Sequence, residues 1–159
     1  MIVVADTGPV LHLHWVGAAS WALPPRPIHV VQEVWIEVER YAPDALLDAR
    51  LVLVPGPVPL SPLVLSSSLD AGEQAALSYA LSNRAEDVLV LCDETSARAL
   101  CRSLHLPVTG SIGLILEAAH ARRVTKEDAL QALEELPRRG RLHASRDVIQ
   151  SAIDALPGT

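Results

Sequence analysis

Two stretches of the chain are apolar without interruption, and each runs into an aspartate: Ile2-Val3-Val4-Ala5 before Asp6, and Val88-Leu89-Val90-Leu91-Cys92 before Asp93. A short apolar run without alternation reads as a strand buried on both faces. Such strands belong to parallel sheets, whose crossovers cover both faces with helices, so the feature points to the α/β class. After the first run, Thr7 reads as an N-cap and Pro9 as a residue of the first helical turn. Asp6 is then expected at the carboxyl end of a central strand beside a helix start, where open α/β sheets keep their ligand sites. A plainer reading stands beside it, because an acid near a helix N-terminus is favourable in its own right.

The rest of the chain keeps the alternation. "PVLHLHWVGAA" has helical apolar spacing, and "HVVQEVWIEVERY" reads as a one-sided helix with Val30, Val31, Val34, Trp35 and Val38 on its apolar face. "ARLVLV" is a strand ending at Pro55, and "PGPVPLSPLVLSSS" an irregular connection or edge segment. "LDAGEQAALSYALSNR" is a strong helix, "TSARALCRSLHL" another, "LPVTG" a short strand and "SIGLILEAAHARR" a helix. "TKEDALQALEEL" is expected to be amphipathic, with Thr125 as N-cap and Glu127 and Asp128 in the first turn, and "SRDVIQSAIDAL" closes the chain as a last helix. One domain over residues 1–159 follows, its C-terminal helices at about 125–156 padding one side or binding a partner.

Composition narrows the functional classes. Half of the 159 residues are hydrophobic while Phe is absent, so the core must be built from Leu, Val, Ile and Ala. No apolar stretch approaches the roughly 20 residues of a membrane span, and no signal peptide is visible, so a cytoplasmic location without membrane partners is expected. Cys92 and Cys101 lack metal or redox spacing and read as buried free thiols. The six histidines are scattered without paired-ligand spacing, His12 and His14 lying on different sides of a helix, so zinc is not expected. A net charge of −6 opposes long-range attraction to nucleic acid. Two basic clusters, Arg138, Arg139 and Arg141, and Arg122, Arg123 and Lys126, read as solvated helix ends before phosphate contacts.

Four acids need a joint explanation: Asp6 and Asp93 at strand ends, Glu37 on "VWIEV" and Glu73 in the first turn of "LDAGEQAAL". Strand ends and the helix starts that follow them converge on one rim of a parallel sheet. Carboxylates gathered there repel unless a cation neutralises them, and oxygen-only ligation suits Mg²⁺ or Mn²⁺. Such ions promote phosphodiester hydrolysis by activating water and by offsetting charge. Each acid also has a structural reading. Asp70 and Glu73 fit a capping box, Glu37 a solvated helix charge like Glu33 and Glu39, and Asp93 and Glu94 helix-start acids.

On "VVADTGPVLHL", "VWIEV", "LDAGEQAALSYAL" and "VLVLCDETSARALCRSLHLPVTGSIGLI", in that order, the chain resembles the PIN-domain family. It is most similar to the VapC-like branch carrying D-x-G-E and V-T-G-x-x-G, over residue 2 to about 124. The resemblance implies a three-layer α/β/α sandwich with a mainly parallel sheet and a helical C-terminal tail. It implies a ribonuclease that uses Mg²⁺ or Mn²⁺, the toxin of a toxin–antitoxin pair held by a cognate antitoxin, and a homodimer. Carried over position by position, Asp6, Glu37, Glu73 and Asp93 are the metal-binding and catalytic acids, Glu73 standing where many relatives have aspartate. Thr7 fills the small hydroxyl position after the first acid. Glu94, Thr95 and Ser96 offer further oxygen groups after the last aspartate. Thr7, Arg98, Thr109 and Ser111 are the candidate substrate contacts. Gly110 and Gly113 offer backbone N–H groups to a phosphate at a helix start, with Ser111 as a simple helix cap the plainer reading. Arg98 steadies a phosphate or partners one of the acids.

A second function from another class remains, a catalytically silent interaction module that keeps the fold. A phospho-acceptor receiver domain is set aside, since it expects two adjacent acids after the first strand and a lysine at a later strand end. Here Asp6 stands alone, and the single lysine, Lys126, falls on a helix. Divalent-ion binding separates nuclease from module.

Overall fold

The computed structural model describes residues 1–158. The chain begins with β1 (Ile2–Ala5), α1 (Thr7–Trp15), α2 (Ala19–Ala22), β2 (Ile28–Val30) and α3 (Gln32–Tyr41). A 3₁₀ turn (Pro43–Leu47) leads into β3 (Leu51–Leu53), α4 (Pro62–Leu65), α5 (Ala71–Ser82) and β4 (Val88–Leu91). It ends with α6 (Thr95–Ser103), β5 (Val108–Thr109), α7 (Ser111–His120), α8 (Lys126–Glu135) and α9 (Arg146–Asp154).

The two acid-ended runs are neighbours. β1 pairs in parallel with β4, Ala5 opposite Leu91, at the centre of a five-stranded sheet of order β3-β2-β1-β4-β5. Every pairing is parallel, so the sheet is the middle layer of a three-layer α/β/α fold. Val3, Val4 and Ala5 are fully buried, as are Val90 and Leu91, which is why these strands show no alternation. Burying each Val or Leu side chain stabilises the fold by about 1.5–3 kcal/mol.

Two sequence expectations need correction. The segment read as one helix from His29 is two elements: Ile28–Val30 is strand β2, and the helix starts only at Gln32. A three-residue strand abutting a helix leaves no period of its own. Val30 and Val31 fell into helical register with Val34 and Val38 because all four are fully buried. The Pro- and Ser-rich connection also contains a short helix, α4, capped by Ser61 and started by Pro62.

The C-terminal helices pack on the domain. α8 lies against α7, and α9 against both. Ala129, Leu133, Leu136, Ile149, Ala152 and Leu156 are buried there. Thr125 caps α8 by accepting the Asp128 N–H at 3.1 Å, with Glu127 and Asp128 in the first turn. Among the described residues, no helix is long and apolar enough to cross a membrane. Cys92 and Cys101 are free and buried.

Candidate active site

Strand register builds the site. Because Ala5 lies opposite Leu91, Asp6 leaves the sheet beside Cys92, and Asp93 follows one residue later. The Asp6 N–H donates to the Leu91 carbonyl at 2.9 Å, which holds the aspartate at the strand end. Asp6, not Thr7, occupies the N-cap position of α1, in extended geometry and without a side-chain cap bond. Thr7 is the first helical residue, and its hydroxyl donates to Glu37 Oε2 at 2.7 Å. The backbone stays extended through Asp6, so the turn into the helix falls one residue earlier than the N-cap preference for threonine suggested.

Asp6, Glu37, Glu73 and Asp93 all line one cavity of about 420 Å³, together with Asp70 and Glu94. Asp6 is only 6% exposed, and its carboxyl is pushed up to about 7. Burial is the main cause, the Thr7 backbone N–H opposes it, and the charges of Glu73, Asp70 and Glu37 raise it further. Burial also raises Glu73, with Asp70, Glu94 and Glu37 adding to it. Buried acids whose pKa is raised by neighbouring carboxylates mark a place where a cation is favourable. Cys92 Sγ, 3.7 Å from Asp6 Oδ2, stays a thiol because burial drives its pKa far up.

The acids differ in how much of each is free. The capping box is present: the Glu73 N–H donates to Asp70 Oδ1 at 2.8 Å, and the Asp70 N–H to Glu73 Oε2 at 3.0 Å. Glu94 caps α6 by accepting the Ser96 N–H at 2.6 Å. Asp93 Oδ1 accepts the Ser111 N–H at 2.6 Å, while its Oδ2 accepts the Ser111 hydroxyl and lies 2.6 Å from His12 Nδ1. Ser111 is therefore not the cap of α7. Gly110 holds that position, and Asp93 receives the first N–H of the helix. A Cβ on Gly110 would lie 2.4 Å from Asp93 Oδ1 and 2.6 Å from Arg98 Nη1, so glycine permits this approach.

The remaining candidates sit next door. Arg98 donates to the Cys92 carbonyl at 3.2 Å, which makes a backbone oxygen, not an acid, its partner. Arg98, Thr109, Gly110 and Gly113 line an adjoining cavity of about 560 Å³ that also includes Asp93. Sequence reasoning missed His12, Trp15 and Arg141 as cavity residues. No local signal marks them, since the His12–Asp93 contact spans 81 residues.

The donor chemistry fits a hard divalent cation. Six carboxylates line the cavity, Glu37 and Glu73 each keep an oxygen free of the hydrogen bonds just described, and Asp6 has only the Cys92 thiol as side-chain partner. The set is not closed: among the described residues, no three His, Cys, Asp or Glu groups stand close enough together to hold an ion.

Comparison with curated proteins and with solved structures finds no match. The family described as the PIN domain, whose members are generally metal-using nucleases, matches residues 2–157, which takes in the C-terminal helices beyond the motifs. The all-parallel sheet, the acids at the ends of β1 and β4 and this match along nearly the whole chain agree, and the chain belongs to the PIN-domain family.

Proposed function

We propose that this chain is a Mg²⁺- or Mn²⁺-dependent endoribonuclease that hydrolyses RNA phosphodiesters with water. One observation carries the reading: the acids at the carboxyl ends of two adjacent central strands share a cavity with Glu37 and Glu73. Asp6, Glu37, Glu73 and Asp93 are the residues that would hold the ion, which when bound supplies Lewis acidity and neutralises phosphate charge. Around it, Thr7 fixes the Glu37 carboxylate, and Ser111 and His12 fix Asp93. Thr7, Arg98 and Thr109 border the path of the substrate, whereas Ser111, read from the sequence as a fourth contact, is fully buried and spends its N–H and hydroxyl on Asp93. The likeness to the VapC-like branch supports a cytoplasmic toxin held by a cognate antitoxin. Exposed Val52 and Leu53 on β3, with Leu63 and Leu65 on α4, support a homodimer.

A second reading, the catalytically silent interaction module, is favoured by the engagement of Asp93 and Glu94 in helix caps and by the open ligand set. Two measurements on the purified chain decide between them. The nuclease reading expects Mn²⁺ to raise the melting temperature, and single-stranded RNA to be cut to 5′-phosphate and 3′-hydroxyl ends, with chelator stopping the reaction. Cyclic phosphate ends that persist in chelator would overturn the mechanism, because they report attack by the RNA 2′-hydroxyl. No Mn²⁺ response and no cutting would leave the module.

A further inference from the structure

Resting on the nuclease reading, we propose that the loop between α8 and α9 is one wall of a groove for single-stranded RNA, with Arg141 and Arg102 as phosphate contacts. The acidic cavity and its neighbour share Asp93, Leu142 and His143, so they form one trough, and the loop supplies two of those three residues. Arg141 and Trp15 line the acidic part, while Arg98 and Arg102 line the other.

Charge supports the assignment. A polyanion entering a trough of carboxylates on a chain of net charge −6 is repelled along its length. An ion at the acids offsets one phosphate, and the flanking phosphates need cations of their own. Arg102 and Arg141 have no carboxylate partner among the described residues, whereas Arg50, Arg123 and Arg139 have Asp48, Glu117 and Glu135.

Arg141 is also held in place. Its guanidinium carbon lies 4.8 Å from the centroid of the Trp15 ring, a cation–π contact that leaves the N–H groups at the guanidinium edge available. The loop beneath it is pinned by two bonds, the Gly140 N–H to the Glu135 carbonyl at 3.1 Å and the Leu142 N–H to the Leu136 carbonyl at 2.9 Å. Arg141 closes this turn in the left-handed region at φ 56°, and Leu142 is buried. A Cβ at Gly140 would stand 2.8 Å from the Leu136 carbonyl oxygen, so the turn depends on glycine there. Packing and backbone together aim the arginine at the trough before any ligand arrives.

The test is the salt dependence of binding by the full chain. A fluorescein-labelled oligouridylate with a cleavage-resistant phosphorothioate backbone is titrated by anisotropy, with Mg²⁺ constant and KCl varied. Arg141→Gln and Arg102→Gln should each lower the slope of log affinity against log salt by about 0.7, and the double variant by about 1.4, as expected for lost single-strand phosphate contacts. Arg138→Gln, exposed and outside both cavities, should leave the slope unchanged. Unchanged slopes in Arg141→Gln and Arg102→Gln, or an equal drop in Arg138→Gln, overturn this inference and leave the nuclease reading standing. A parent chain that binds no RNA at any salt overturns both.

Discussion

Replacing Asp6 by Asn should make the metal-free protein more stable at alkaline pH and not at acid pH. Folding moves this carboxyl from its ordinary 3.8 to about 7, chiefly by burial. Below about pH 4 the group is neutral in both states, and its shift has no effect. As pH rises to 7 the unfolded chain ionises while the folded chain keeps its proton, so stability falls by about 1.4 kcal/mol per pH unit. Over roughly three units the loss reaches about 4 kcal/mol, complete above pH 7. Asn does not titrate, and its imperfectly paired amide adds a constant cost of about 1–3 kcal/mol. The variant should therefore melt below the parent at pH 4 and above it at pH 8, the difference swinging by about 8–16 °C for a chain of this size. Thermal melts in chelator across that pH range read it directly. A difference between the two proteins that stays constant with pH would refute the reasoning, because Asp6 would then be an ordinary, solvated cap. Mn²⁺ should raise the parent's melting temperature at pH 8 and have little effect on the variant.

The cap and ligand roles at the start of α5 separate by substitution. Asp70→Ala removes the acceptor of the Glu73 N–H and should cost about 1 kcal/mol, a drop of about 2–4 °C, with the cavity still binding Mn²⁺. Glu73→Gln keeps an oxygen for the Asp70 N–H, so it should barely change the metal-free melt while weakening Mn²⁺ binding; identical behaviour of the two variants would remove Glu73 from the ligand set. Gly110→Ala should displace Asp93 and Arg98, since its Cβ has only 2.4 Å and 2.6 Å to their side chains. Slower RNA cleavage with helix content retained by circular dichroism is the expected result, and unaltered cleavage would mean that Asp93 need not hold its place.

Local order was legible wherever a period or a cap lies within a few residues. The unbroken runs before Asp6 and Asp93 announced two central strands, and Thr125 with Asp128 announced the start of α8. Strand β2 was not legible, because three residues fused to a helix carry no period that differs from the helix itself. The N-cap of α1 is Asp6, and that of α7 is Gly110, because in both the extended backbone ends one residue earlier than side-chain preference implies.

What the sequence alone determined is the α/β class and the placement of two aspartates at the ends of buried parallel strands, since short β-branched apolar runs that alternate with helical segments fit strands covered on both faces. Which groups meet at those ends was decided by the tertiary structure. Thr7 reaches Glu37 across 30 residues and His12 reaches Asp93 across 81, through crossovers whose packing no local pattern encodes. The same holds for Arg141, which the sequence shows only as one arginine of a basic cluster. It lies over Trp15 because α8 packs on α7 and the turn after α8 is closed by a left-handed residue, and that brings the last quarter of the chain back to the cavity begun by its sixth residue.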